Sequence, residues 1–221
     1  MDLKKRAVNQ YMLKILRGNC YRGKASGLLR LFCLIAFILA NTVCYAQKYT
    51  FTHYDIQDGL IQSQVNDLTL DQQHRLWIAT LGGACRFDGK EFVSFSRQNG
   101  MPTNFVNVVL SDKNNDVWFG TQSGLVRMTG RKMTVIKLPA NQENKRVRNI
   151  VQDGNGKVWA IIGGRLFSMA GDKAQQHWVQ DTIKRLLTTI AIDKAGRLYA
   201  SVYRKGLYLL DGGKWTNIAD Y

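Results

Sequence analysis

Three histidines, one isolated cysteine and a spaced series of aspartates are the residues of this 221-residue chain whose types could do chemistry. His53, His74 and His177 could ligate a metal or move protons. They share no spacing with one another or with a carboxylate pair, so neither a metal set nor an acid–base pair is expected. Cys20, Cys33 and Cys44 fall in an N-terminal leader, leaving Cys85 alone. One thiol builds no disulfide framework and no thiolate cluster, and Cys85 reads as a small core residue. Asp153-Gly-Asn-Gly-Lys superficially suggests a calcium loop, but it lacks a third carboxylate and a distal Glu. Turn capping accounts better for it. The glycine pairs at 82–83 and 163–164 precede no Gly-Lys-Ser/Thr and no helical pattern, so they read as tight hairpins rather than phosphate loops. No catalytic residue, cofactor or metal is expected.

The aspartates belong to a repeat. Asp71, Asp112, Asp153 and Asp193 step by 41, 41 and 40 residues, and Trp77, Trp118, Trp159 and Tyr199 step identically. Gly89, Gly130, Gly171 and Gly212 step by 41 each time. Each copy holds four short β-type runs parted by turn residues, which in the second copy are 107–110, 117–121, 125–128 and 132–137. The Asp-x-x-Gly step between the first two runs is hairpin chemistry, with Asp capping the turn and Gly supplying positive φ. Asn115 and His74 stand in for that glycine in two copies, and His74 is the poorer fit. No long 3.6-period segment follows Gln47. Four strands per unit of about 40 residues mark a β-propeller blade. The aromatic column could stack on sugars, but a residue repeated at one strand position packs blade on blade. Trp215 reads as packing too, whereas Trp178 has no counterpart and is a weaker interaction candidate.

The phrase Asp58-Gly-Leu, Val65, Asp71, Leu76-Trp-Ile-Ala-Thr80, Gly83 and Phe87-Asp-Gly89 resembles the two-component regulator propeller repeat. That repeat is found in periplasmic sensor domains of Bacteroidetes-type hybrid histidine kinases and related receptors. The third copy departs at Ala160-Ile-Ile and the fourth at Tyr199 and Ser201-Val. The resemblance implies an all-β propeller with about four four-stranded blades of a probable seven. The blades fall at about 65–105, 106–146, 147–186 and 187–221 within a partial propeller spanning 47–221. It also implies ligand sensing, oligosaccharides among the ligands, with the signal passed across the inner membrane. A propeller enzyme of the lyase type and an envelope protein-binding scaffold are the alternatives.

Residues that break the repeat sit on the loops. Connections between blades and between the middle two strands should share one face, carrying Gln62, Gln64, Asn104, Phe105, Arg146, Tyr203 and Arg204. Amides, Arg and aromatics suit a polyhydroxylated ligand. Residues 1–46 read as an export signal: eight Lys/Arg against one acidic residue, then an apolar run over 31–40. Small residues precede a cut between Ala46 and Gln47, with Met1 or Met12 as the start and an uncleaved anchor as the alternative. The chain is thus read as exported to the periplasm, with inner-membrane anchoring as a variant. Half of the net charge of +15 lies in this leader, which weakens a nucleic-acid reading. Tyr49–Tyr54 aligns with a fourth strand whose partners would lie beyond Tyr221, so the chain reads as a truncated product or the N-terminal portion of a receptor. Expected partners are an oligosaccharide or other polar ligand, the remaining blades and the membrane-spanning output module, and a second copy of the chain; nucleic acid is not expected.

Overall fold

Sixteen short strands fold as four antiparallel meanders in a computed structural model that describes residues 50–140, 145–178, 187–211 and 213–220. The leader, the Ala46–Gln47 junction and the loop 180–186 lie outside the described residues. The unit running from His53 to Tyr221 carries the fold. Its first sheet is β1 (Val65–Leu70), β2 (Leu76–Thr80), β3 (Gly83–Phe87) and β4 (Phe92–Phe95). The second is β5 (Val106–Ser111), β6 (Val117–Thr121), β7 (Gly124–Thr129) and β8 (Lys132–Val135). The third is β9 (Val147–Gln152), β10 (Val158–Ile162), β11 (Arg165–Ala170) and β12 (Lys173–His177). The fourth is β13 (Leu187–Ile192), β14 (Leu198–Val202), β15 (Gly206–Asp211) and β16 (Lys214–Ala219). Every sheet keeps its strands in chain order. These are blades of a β-propeller, as the repeat predicts.

The blades bury both faces against their neighbours, which is why the second strand of each reads as a continuous apolar run rather than an alternating one. Val117 to Thr121 are all buried. Phe119 faces back onto blade 1, where its ring meets Trp77 at 5.7 Å. Trp118 faces forward into a cluster with Val147, Ile150, Ala160 and Phe167 of blade 3. Trp159 repeats this against Leu187, Ile190 and Leu198 of blade 4. Trp77, Trp118 and Trp159 are 1%, 3% and 6% exposed, so the aromatic column is core. Tyr199 is only half-buried, because no described residue supplies a blade beyond it. Trp215 is buried with blade 3, and Trp178 is 65% exposed.

Two features escape the expected pattern. The connections 57–64 and 98–105 each contain a 3-10 turn, Ile56–Asp58 and Arg97–Asn99. Asp55 and Ser96 cap these turns at equivalent repeat positions, and Gly59 and Gly100 close them at φ 106° and 98°. The innermost strand of every blade also carries a β-bulge at the same place. The ladder skips Asn66, Asn107, Arg148 and Thr188 in turn.

Residues 50–54 form no strand. A strand exists only through a ladder partner, and the four sheets give these residues none. Tyr54 packs instead through its ring, 4.9 Å from Phe87 and 5.7 Å from Phe92.

Candidate ligand-binding face

Each blade has two ends, and the repeat equips them differently. At one end the first hairpin turns at the aspartate. Asp112 Oδ1 accepts the backbone N–H groups of Asn114 and Asp116 at 2.8 and 3.0 Å. Its Oδ2 accepts the indole N–H of Trp118 at 2.8 Å. Asp71 with Trp77 and Asp153 with Trp159 reproduce the arrangement, and Tyr199 donates its hydroxyl to Asp193 at 3.2 Å. The carboxylate thus fastens the turn to the buried ring of the same blade. Burial pushes the Asp71 carboxyl up, but hydrogen bonds from Trp77 and Arg75 outweigh it and hold it below the usual value. Positive φ falls where the turn needs it: 64° at Asn115, 59° at His74, 84° at Gly156 and 80° at Gly196. Capping was legible in the sequence; the second bond, to the indole, was not. Its only sequence trace is a constant six-residue spacing.

A shallow cleft of about 260 Å³ opens at this end, lined by Leu70, Asp71, Gln72, Ser111, Asp112, Lys113 and Gln152. Most of its polar groups are already engaged between blades. Gln72 Nε2 donates to the Lys113 carbonyl at 2.6 Å, Lys113 N donates to Gln152 Oε1 at 2.8 Å, and Lys113 Nζ donates to the Gly154 carbonyl at 3.0 Å. These bonds tie three consecutive blades together, while the buried hydroxyl of Ser111 in the lining has no hydrogen-bond partner.

The nominated loops occupy the opposite end. The first residue of each inner strand pairs with the last of the second strand, as Val65 with Thr80 and Val106 with Thr121. Each inter-blade connection therefore meets the middle turn of the blade it enters. Gln122 N donates to the Phe105 carbonyl at 2.9 Å, and Gly163 N to the Arg146 carbonyl at 3.0 Å. In blades 1 and 2 a buried threonine latches the middle turn: Thr80 and Thr121 donate to the carbonyls of Gly83 and Gly124. Ile162 and Val202 replace it in blades 3 and 4, where the turns take positive φ at Gly163, Gly164 and Arg204.

The nominated side chains divide into two groups. Gln62 Oε1 accepts the Gln64 N–H at 2.7 Å, and Asn104 Oδ1 accepts the Arg97 N–H at 2.9 Å, so both brace their own loops. Gln64, Phe105, Arg146, Tyr203 and Arg204 stay exposed. The Arg204 guanidinium lies 5.1 Å from the centre of the Tyr203 ring. His74 and His177 lie apart from this face. His74 sits in the first Asp turn. His177 lies on the outer strand β12, bonded to the buried Ser168 hydroxyl at 2.7 Å with its ring 4.8 Å from Trp159.

A family model described as the two-component regulator propeller matches residues 59–82 and 100–123, each running from the capped 3-10 turn through the Asp turn and Trp strand to the middle turn. Two blades of this chain match the two-component regulator propeller repeat. The extracellular domains of two hybrid two-component systems of B. thetaiotaomicron share the fold of these repeats. One has a TM-score of 0.63 at 24% identity over 79% of this chain, and the other 0.62 at 22% over 76%. The chain spans about a quarter of either domain, 24% in both cases. Virginiamycin B lyase from Staphylococcus aureus is more distant, with a TM-score of 0.57 at 14% identity over 69% of this chain and 54% of the lyase. No curated protein matches by sequence. Among the described residues no group of His, Cys, Asp and Glu could hold a metal ion. In these regulator-propeller repeats the matched segments are the two latched blades. The loop-end polar residues of blades 3 and 4 lie outside the match.

Proposed function

We propose that this chain is part of an exported sensor whose propeller binds a polar ligand reversibly at the loop end and passes the event to an output module of the same receptor. The observation carrying this reading is the regulator-propeller repeat itself, set in blades whose turn aspartates are spent on internal bonds while the loop end keeps exposed amide, Arg and aromatic groups. The likeness to extracellular domains of two-component systems supports the placement outside the cytoplasm, and the basic leader with its short apolar run supports export. Binding fits better than turnover. A lyase needs an acid–base pair, and His74 and His177 lie on different blades, one in a turn and the other packed on Trp159. Calorimetry of the exported protein against neutral and acidic oligosaccharides, with product analysis of each mixture, tests the reading. A ligand recovered unchanged after binding is the expected result. Conversion of the ligand would make the protein an enzyme, and silence across the panel would remove the sensing role.

A further inference from the structure

Charge is sorted by end in blades 3 and 4. Of the five acidic residues among the described residues of these blades, Asp153, Asp172, Asp193 and Asp211 lie at the Asp-turn end. Asp220 alone lies at the loop end, just past the pairing of Ala219 with Leu207. That end carries six cations: Lys145 and Arg146 before β9, Arg148 within it, Arg165 at the start of β11, and Arg204 and Lys205 in the middle turn of blade 4. All six are exposed, and none takes part in the ion pairs found among the described residues.

Backbone bonds hold these residues in one surface. Gly163 N donates to the Arg146 carbonyl at 3.0 Å, and Leu187 N donates to the Gly164 carbonyl at 2.9 Å, which carries the run across the seam between the blades. Leu187 pairs with Val202, whose carbonyl accepts the Lys205 N–H at 3.0 Å and closes the turn that presents Tyr203 and Arg204. Two exposed rings complete the patch. The Arg165 guanidinium lies 5.8 Å from the centre of the Trp178 ring, much as Arg204 lies 5.1 Å from that of Tyr203. Trp178 and Tyr203 are 65% and 54% exposed.

We infer that the loop end of blades 3 and 4 is a docking surface for an anionic phospholipid bilayer, with the six cations on headgroup phosphates and Trp178 and Tyr203 seated among the headgroups. The inference goes beyond the ligand-binding reading and does not rest on it, since Gln64 and Phe105, on the connections into blades 1 and 2, lie outside the patch. A dry protein interface would strip water from like charges that have no partner. A headgroup layer leaves them hydrated beside phosphates, and it is where Trp and Tyr rings come to rest while Arg and Lys reach outward. An extended surface fits better than a small anion, because the cations sit on strand ends and turns of two blades, whereas the cleft of about 260 Å³ opens at the opposite end.

The test mixes the exported protein with vesicles of phosphatidylcholine, alone or with about a third phosphatidylglycerol to supply the negative surface potential. Arg148→Gln with Arg204→Gln removes two cations of the patch, and Arg131→Gln with Lys194→Gln removes two exposed cations from turns at the opposite end. Trp178 is a built-in reporter, since the other four tryptophans are at most 7% exposed. Anionic vesicles should bind at least about ten-fold more tightly than neutral ones, and about 0.5 M salt should release them. The patch pair should weaken binding at least about ten-fold and the opposite pair by no more than about two-fold, because the attraction fades within a Debye length. Brominated lipid should quench the tryptophan emission, and Trp178→Phe should abolish that quenching. Equal binding to both vesicles, as an inserted leader alone would give, overturns the surface. Equal losses from the two charge pairs, or binding without quenching of Trp178, also overturn it. Poly-L-glutamate stands in for an acidic protein: binding to it with no binding to anionic vesicles overturns the lipid in favour of a protein partner.

Discussion

The residue that carries each blade is the turn aspartate, because one carboxylate satisfies two turn amides and, at once, the indole of the same blade in blades 1 to 3 or the Tyr199 hydroxyl in blade 4. The turn around it demands one left-handed residue, and His74 is the poorest occupant at φ 59°. A non-glycine side chain there costs about 1–2 kcal/mol in the left-handed region. His74→Gly should therefore raise stability by about 1 kcal/mol, once the larger unfolded-state freedom of glycine is set against the relief. Chemical denaturation checks this; an unchanged or lowered midpoint would mean that the imidazole makes a compensating contact. The left-handed position was legible in the sequence as a column holding Gly, Gly, Asn and His. The Asp–Trp bond was not, since a spacing of six along the chain does not say which way a ring nitrogen points. The bulge residues were equally hidden, because skipping one rung of a ladder leaves no mark except polarity in an otherwise apolar strand.

At the scale of the strand and blade, the period and strand types could be read directly because a four-strand meander is local: every sheet pairs only consecutive strands. Segment 50–54, whose expected pairing would not be local, has no partner in the four sheets. Blade spacing is set by the innermost strands. A Cβ at Gly120 would meet Val108 and come within 2.7 Å of Val147 across the seam to blade 3. Gly120→Val should destabilise the protein by about 1–3 kcal/mol or more through overpacking. Gly130→Ala is its comparison, since a Cβ there meets nothing and only the φ of 61° opposes it. Equal melting temperatures for the two variants would show that the seam yields. Stability at the blade 3–4 seam should depend on pH. Burial, with the Lys157 ammonium adding to it, holds the His177 imidazole below its ordinary value of 6.5. The unfolded chain then binds the proton more readily than the folded one, so stability is full above that ordinary value and falls as pH drops through it toward the folded-state value. Thermal melts between about pH 7.5 and 5.5 should show this decline, and His177→Gln should flatten it. A slope that survives the substitution would place the titration elsewhere.

For the molecule as a whole, the arc of blades leaves its outer faces unequal to its inner seams. Leu68 is 54% exposed, whereas its repeat equivalents Val109, Ile150 and Ile190 are 3%, 5% and 3% exposed against the preceding blade. Leu70 is 59% exposed beside it. Residues 47–221 produced alone should self-associate through such a face. Sedimentation would reveal it, and a monodisperse monomer with a cooperative melt would show that four blades suffice. Sensing at the loop end remains the central claim, and hydrogen–deuterium exchange of the exported protein with and without a bound oligosaccharide tests it most directly. Binding should slow exchange in peptides covering 57–66, 98–107 and 145–148, and leave the Asp turns at 111–116 and 152–157 unchanged. Protection confined to those Asp turns, where the cleft lies, would contradict it.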